Sequence, residues 1–206
     1  MIAASAVEQL AHFFHADLSQ PSPIPLSGSR WVELPAAFRA LGFREGAEIG
    51  VEEGRYSQRL CELIPELHLR SIDAWQAYSG YREHVTQEKL DGFQVEARRR
   101  LAPYRCDVVQ ANSLTAAGHI PDRSLDFVYI DANHSYEHVV ADIAAWAPKV
   151  RSGGVLAGHD FRHIKGKAGA VFGVVEAVTG WTRAYDVSPW FVLRGDKSPS
   201  WLWVQP

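Results

Sequence analysis

The apolar positions of this chain alternate between two periods. Residues 3–16 place Val7, Leu10, Ala11 and Phe14 at i, i+3, i+4 and i+7, the stripe of one amphipathic helix. Pro21, Pro23 and Pro25, followed by Ser27-Gly28-Ser29, cannot continue a helix and read as an extended connector. Residues 1–30 are therefore expected to form an appendage, with the main domain covering 31–206. From Ala47 onward, short apolar runs at 47–51, 67–72, 106–110, 126–130 and 154–157 predict strands. Phe127-Val128-Tyr129-Ile130 is apolar throughout, as a parallel strand buried on both faces requires. Helical stripes fall between the runs. Leu60, Leu63 and Ile64 form one, stopped by Pro65, and Phe93, Ala97 and Leu101 form another. Tyr136, Val139, Val140, Ile143 and Ala147 form a third, ended by Pro148 and a Gly153-Gly154 turn. Val171, Phe172, Val175 and Val178 form a fourth, ended by Gly180. Alternating strands and helices predict a parallel sheet covered on both faces. Thr182–Val187 and Trp190–Arg194 then read as two strands separated by Ser188-Pro189, a connection short enough only for an antiparallel pair. The expected fold is α/β, a doubly wound, Rossmann-like, seven-stranded and mostly parallel sheet with a C-terminal antiparallel hairpin.

Composition narrows the partners. A net charge of −3 offers no basic field for a polyanion, and Arg98-Arg99-Arg100 falls within a helical pattern as a solvated face, so no nucleic-acid partner is expected. No stretch approaches 18 apolar residues and no signal peptide is visible, so neither a membrane span nor export is expected. Two cysteines, Cys61 and Cys106, make no disulfide framework. The expectation is a cytoplasmic protein acting on a small molecule, with homo-oligomerisation left open.

The first strand of the alternating region runs into Glu48-Ile49-Gly50-Val51-Glu52-Glu53-Gly54, a glycine turn opening a helix that Ser57 is placed to cap. Such a turn at the start of an α/β sheet is where nucleotide-like ligands bind. It is neither G-x-G-x-x-G nor a phosphate-binding P-loop. A carboxylate two residues before the first glycine suits a cationic ligand better than a pyrophosphate, and the pattern E-x-G-x-x-x-G is that of S-adenosylmethionine sites. Asp73 ends the next strand, 23 residues after Gly50, where an acidic residue accepts bonds from ribose hydroxyls. Asn112 and Ser113 end the third strand, where the adenine is expected; the sequence has Ala-Asn-Ser where Gly-Asp-Ser/Ala is commoner. Glu48, Gly50, Gly54, Asp73, Asn112, Ser113 and Asp131 are the candidate cofactor-binding residues.

The fourth strand ends Asp131-Ala132-Asn133-His134, the fifth His159-Asp160-Phe161. Neighbouring strand ends bring two carboxylates and imidazoles together, a donor set for Mg²⁺ or another divalent cation. Asp131, His159 and Asp160 are the candidate metal ligands. His138, one turn into a helix, reads as surface.

The stretches Asp126–Tyr136 and Trp146–Phe161 resemble the class I methyltransferases that include the macrocin-type sugar O-methyltransferases, over about residues 45–180. That resemblance implies Mg²⁺ held by Asp131 and Asp160, with His134 as general base and Asp131 beside it in catalysis. It implies S-adenosylmethionine as cofactor and transfer to a hydroxyl of a small molecule or sugar. The catechol-type enzymes are more distant, with a lysine three after the aspartate where His134 stands here. Three alternatives stand beside this reading: a metal-independent N- or carboxyl-methyltransferase, a cephalosporin-hydroxylase-like metal enzyme, and a non-catalytic cofactor-binding module. Aromatic residues Trp75, Tyr78, Tyr81 and Phe161, with His163, Lys165 and Lys167, are expected to flank the pocket mouth, as ring-stacking groups or as edge packing.

Overall fold

The computed structural model describes residues 4–77, 85–163 and 172–206. Val171, Tyr78, Tyr81, Lys165 and Lys167, with Gly80, Gly166 and Gly169, lie outside the described residues.

Elements follow in the order α1 (Ala6–Phe14), β1 (Ile24–Leu26), α2 (Glu33–Ala40), β2 (Glu45–Ile49), α3 (Arg55–Leu63), β3 (His68–Asp73), α4 (Gln87–Leu101) and β4 (Cys106–Gln110). The second half continues with α5 (Ser113–Gly118), β5 (Leu125–Ile130), α6 (Tyr136–Trp146), a single 3₁₀ turn, β6 (Val150–Gly158), α7 (Val174–Ala184), β7 (Trp190–Leu193) and β8 (Ser200–Val204). The strands form one sheet in the order β1-β7-β8-β6-β5-β2-β3-β4. β8 runs antiparallel to both neighbours, and every other pairing is parallel. This is the doubly wound α/β architecture expected from the alternation, with eight strands instead of seven.

Three local readings are corrected. The hairpin pairs β7 with β8, not Thr182–Val187 with Trp190–Arg194. Val174, Ala177, Val178 and Thr182 are all buried on one face of α7, so the apolar stripe runs on through Gly180, and a lone glycine costs a helix only about 1 kcal/mol. The Gly153-Gly154 pair lies inside β6, where Gly153 has φ +75° and the pairing of β5 with β6 slips between Leu125 and Phe127, as at a bulge. The proline-rich connector contributes β1, which extends the sheet edge by pairing with β7; proline is tolerated on an edge strand.

The side-chain alternation of β5 explains the two-layer cover. Phe127 and Tyr129 point into one core with Leu10, Phe14, Phe38 and Leu60 from α1, α2 and α3. Val128 and Ile130 point into the other, with Val139, Ile143 and Trp146 of α6 and Val174 and Val178 of α7. Leaving β2, the chain steps outward to β3 and β4, then returns to β5 on the other side of β2. That reversal opens a crevice above the carboxyl ends of β2 and β5, the place where open α/β sheets bind ligands.

Candidate active site

Gly50 lines the floor of that crevice, and Gly54 opens the helix that follows. Gly50 has φ +89°, and a Cβ there would lie 2.2 Å from the Asp131 carbonyl oxygen. Only glycine lets the end of β2 approach the end of β5 so closely. Gly54, at φ +77°, begins α3, and a Cβ on it would come 3.2 Å from Ala97 Cα of α4. The turn between them is held from the next strand: Asp73 Oδ2 accepts the backbone N–H groups of Val51 (2.8 Å) and Glu52 (3.0 Å), and Oδ1 that of Trp75 (2.8 Å).

A cleft of about 580 Å³ extends over these strand ends. It runs from Asp160 and His159 after β6, past Asp131 after β5 and the glycine turn after β2, to Asp73 after β3 and Asn112 and Ser113 after β4. Every cofactor residue expected from the sequence lines it except Gly54. Asn112 caps α5, its Oδ1 accepting from Leu114 N–H at 3.0 Å. Ser113 donates to Asp142 Oδ1 at 2.5 Å and accepts from Trp146 Nε1 at 2.9 Å.

Glu48 borders the cleft but is turned inward, only 2% exposed, and accepts a hydrogen bond from Ser57. Burial pushes its pKa up to about 8 despite that bond, so the carboxyl is mostly protonated at neutral pH. Trp75 lines the cleft, is 1% exposed and packs with Val51, Leu90, Ala97 and Leu101. Phe161 likewise packs, edge-on to Trp190. His163 is exposed and pairs with Glu176.

At the other end the charged groups converge. His134 Nε2 lies 3.0 Å from Asp160 Oδ2 and 3.4 Å from Asp131 Oδ1. His159 Nδ1 lies 3.4 Å from Asp131 Oδ2 and 3.6 Å from Asp160 Oδ2. Burial disfavours the Asp131 charge, but hydrogen bonds with His134 and His159 and the Arg30 cation hold its carboxyl well below the usual range. Burial opposes ionisation of Asp160 too, and bonds with His134, His159 and Ser198 outweigh it. For His134, burial lowers the pKa, yet the two carboxylates push it up to about 9. The imidazole is therefore protonated at neutral pH while both carboxylates are bare. Its ring stacks on Phe172 at 5.2 Å between centroids.

Three donor atoms, one each from Asp131, His134 and Asp160, lie within 4.8 Å of one another. The two carboxylate oxygens at that spacing suit a divalent ion, and the imidazole either completes its donor set or, left unligated, stands beside it as a base. His134 and His159, the imidazole expected to ligate, stand equally far from Asp131 at 3.4 Å, but His134 is the closer to Asp160, at 3.0 Å against 3.6 Å. His138 is exposed at the cleft rim, with Nδ1 2.7 Å from Ser135 Oγ.

Sequence reasoning missed Arg30. Its side chain is 13% exposed, and its Nη1 lies 2.6 Å from Asp131 Oδ2 and 3.3 Å from the Tyr129 hydroxyl. The guanidinium stands 4.9 Å from the ring centres of both Trp31 and Tyr56. No periodicity marks a single arginine after a proline-rich connector; the only signal was a lone cation beside Trp31.

An acidic, imidazole-bearing pole and a glycine turn at the switch point of a doubly wound sheet define an S-adenosylmethionine-dependent methyltransferase fold. A family model described as a methyltransferase domain matches residues 47–161, more than half of the chain. The chain belongs to that methyltransferase-domain family. No curated protein matches it. Solved structures similar to it include an O-methyltransferase from Bacillus cereus in complex with SAH, at TM-score 0.62 and 16% identity, covering 99% of this chain and 93% of that one. A SAM-dependent methyltransferase from Aquifex aeolicus matches at TM-score 0.54 and 14% identity, over 82% of this chain and 87% of that one. An O-methyltransferase family protein from Burkholderia thailandensis matches at 0.61 and 11%, over 84% and 55%.

Proposed function

We propose that the protein transfers the methyl group of S-adenosylmethionine to a hydroxyl oxygen of a small molecule, of the sugar type that the macrocin-like motifs suggest, with a divalent cation at Asp131 and Asp160. The observation that carries this reading is the meeting of Asp131, His134 and Asp160 at one end of a cleft whose other end carries Asp73 and Asn112.

Asp73 accepts the ribose hydroxyls, oriented for it by the amides of Val51 and Glu52. Glu48 lies beneath the cationic end of the donor, and a cation beside it would draw its pKa down and ionise it. A divalent ion on the two carboxylates would lower the pKa of the acceptor hydroxyl and orient it. A cation there would also draw the His134 pKa down, so that Nε2, its proton released to solvent, could accept the one leaving the hydroxyl. The new bond is acceptor oxygen to methyl carbon, the broken bond methyl carbon to sulfur, and the proton ends on His134.

Arg30 favours a second reading. Its cation, 2.6 Å from Asp131, already compensates one carboxylate, as a metal-independent transfer would require. The two separate by chelation. Protein treated with EDTA and screened against hydroxylated acceptors should lose methyl transfer and regain it with Mg²⁺, and His134→Ala should fall about 10²- to 10⁴-fold. Full activity after chelation would favour the metal-independent reading.

A further inference from the structure

The far end of the cleft holds a buried carboxylate that the strand-end pattern did not anticipate. Asp142, on α6, is 5% exposed and lines the cleft beside Asn112, Ser113 and Leu114. It sits among the apolar side chains of α6 that pack under the sheet, including Val139, Ile143 and Trp146. Burying a carboxylate there is costly unless it is matched by donors.

The order of strand ends says which part of a bound cofactor this end meets. The sulfonium belongs near Asp131 and the ribose near Asp73, so the base lies beyond, over the start of α5. An adenine presents there a 6-amino group, which needs an acceptor. Asn112 Oδ1 is occupied by the Leu114 amide. The Ser113 hydroxyl gives its proton to Asp142 and takes one from the Trp146 indole. Asp142 is an anionic acceptor at this end, and Ser113, itself held by the Trp146 indole, fixes its Oδ1.

We propose that Asp142 accepts a hydrogen bond from the adenine 6-amino group of the cofactor, replacing from α6 the acidic residue that position 112 lacks. The proposal rests on the cofactor reading above. Burial pushes the Asp142 pKa up to about 6 against the Ser113 hydrogen bond, which leaves the group mostly ionised at pH 7.5. His138, at the rim of the same end, also favours the ionised form.

The test compares S-adenosylhomocysteine with its 6-deamino analogue, purine in place of adenine, by calorimetry at pH 7.5. Wild-type protein should prefer the 6-amino ligand by about 10- to 150-fold, the range of a hydrogen bond to a charged acceptor. In Asp142→Asn, Oδ1 still accepts from Ser113, so the amide nitrogen faces the 6-amino group, donor against donor. The preference should collapse to within about threefold, set by loss of that one charged bond. Wild-type protein that binds both ligands equally, or an Asp142→Asn protein that keeps the wild-type preference, overturns the assignment of Asp142 alone. Folded wild-type protein that binds neither ligand overturns the cofactor reading with it.

Discussion

Gly50→Ala and Gly42→Ala make a matched pair, because both glycines have positive φ but only one is crowded. Gly42 has φ +73°, and a Cβ added there would meet nothing within 4 Å. The Cβ introduced by Gly50→Ala would instead lie 2.2 Å from the Asp131 carbonyl oxygen, 2.6 Å from its carbonyl carbon and 2.7 Å from Ala132 Cα. Left-handed backbone costs an L-residue about 1–2 kcal/mol, and the smaller entropy of the unfolded chain returns about 0.5–1 kcal/mol. Gly42→Ala should therefore cost about 1 kcal/mol. Gly50→Ala adds overpacking against backbone, worth about 1–3 kcal/mol, for a total of about 2–4 kcal/mol. The strain falls on Asp131, so Gly50→Ala should also lose methyl transfer while Gly42→Ala retains it. Urea unfolding at pH 7.5 measures the first difference and initial rates the second. Equal destabilisation of the two variants would refute the close approach of the β2 and β5 ends.

Asp73→Ala should weaken binding of S-adenosylhomocysteine about 10- to 150-fold, read by calorimetry, because a charge-assisted contact is lost and the amides of Val51 and Glu52 lose their acceptor. An unchanged dissociation constant would move ribose recognition elsewhere. Glu48→Gln should flatten the pH dependence of stability on the alkaline side. The folded pKa of Glu48, about 8, lies above its ordinary 4.5, so the group's contribution is complete below 4.5 and is lost as the pH rises through 8. Wild-type protein should lose more unfolding free energy between pH 5.5 and 8.5 than Glu48→Gln does; parallel losses would mean that Glu48 is ionised in the folded state.

The strand at 126–130 was legible because a buried parallel strand leaves a plain apolar run, as Phe127 to Ile130 does, whereas the edge strand Cys106–Gln110 has no buried residue and showed only the β-branched pair Val108-Val109 between polar neighbours. The C-terminal hairpin was legible as a feature but misplaced. Trp181 and Thr182 are aromatic and β-branched, hence strand-like in isolation, yet Thr182 continues the stripe of Val174 and Val178 on a helix. The true second arm, Ser200–Val204, buries Trp201 and Trp203 against the sheet. The strand-end residues Asp73, Asp131, His134, His159 and Asp160 were found because topology sends chemistry to strand ends. Arg30 and Asp142 were not, for opposite reasons. Arg30 comes from an irregular segment whose path no period predicts, and Asp142 sits on a helix face where an acidic residue reads as solvated until α5 and α6 are seen to pack together.

The most direct measurement is calorimetric titration of the folded protein with S-adenosylhomocysteine. One molecule should bind per chain with a dissociation constant below about 100 μM, equivalent to roughly 5.5 kcal/mol, and Tm should rise on saturation. No heat and no shift in Tm at millimolar ligand, with the protein folded, would contradict a cofactor site running from Asn112 to Asp160.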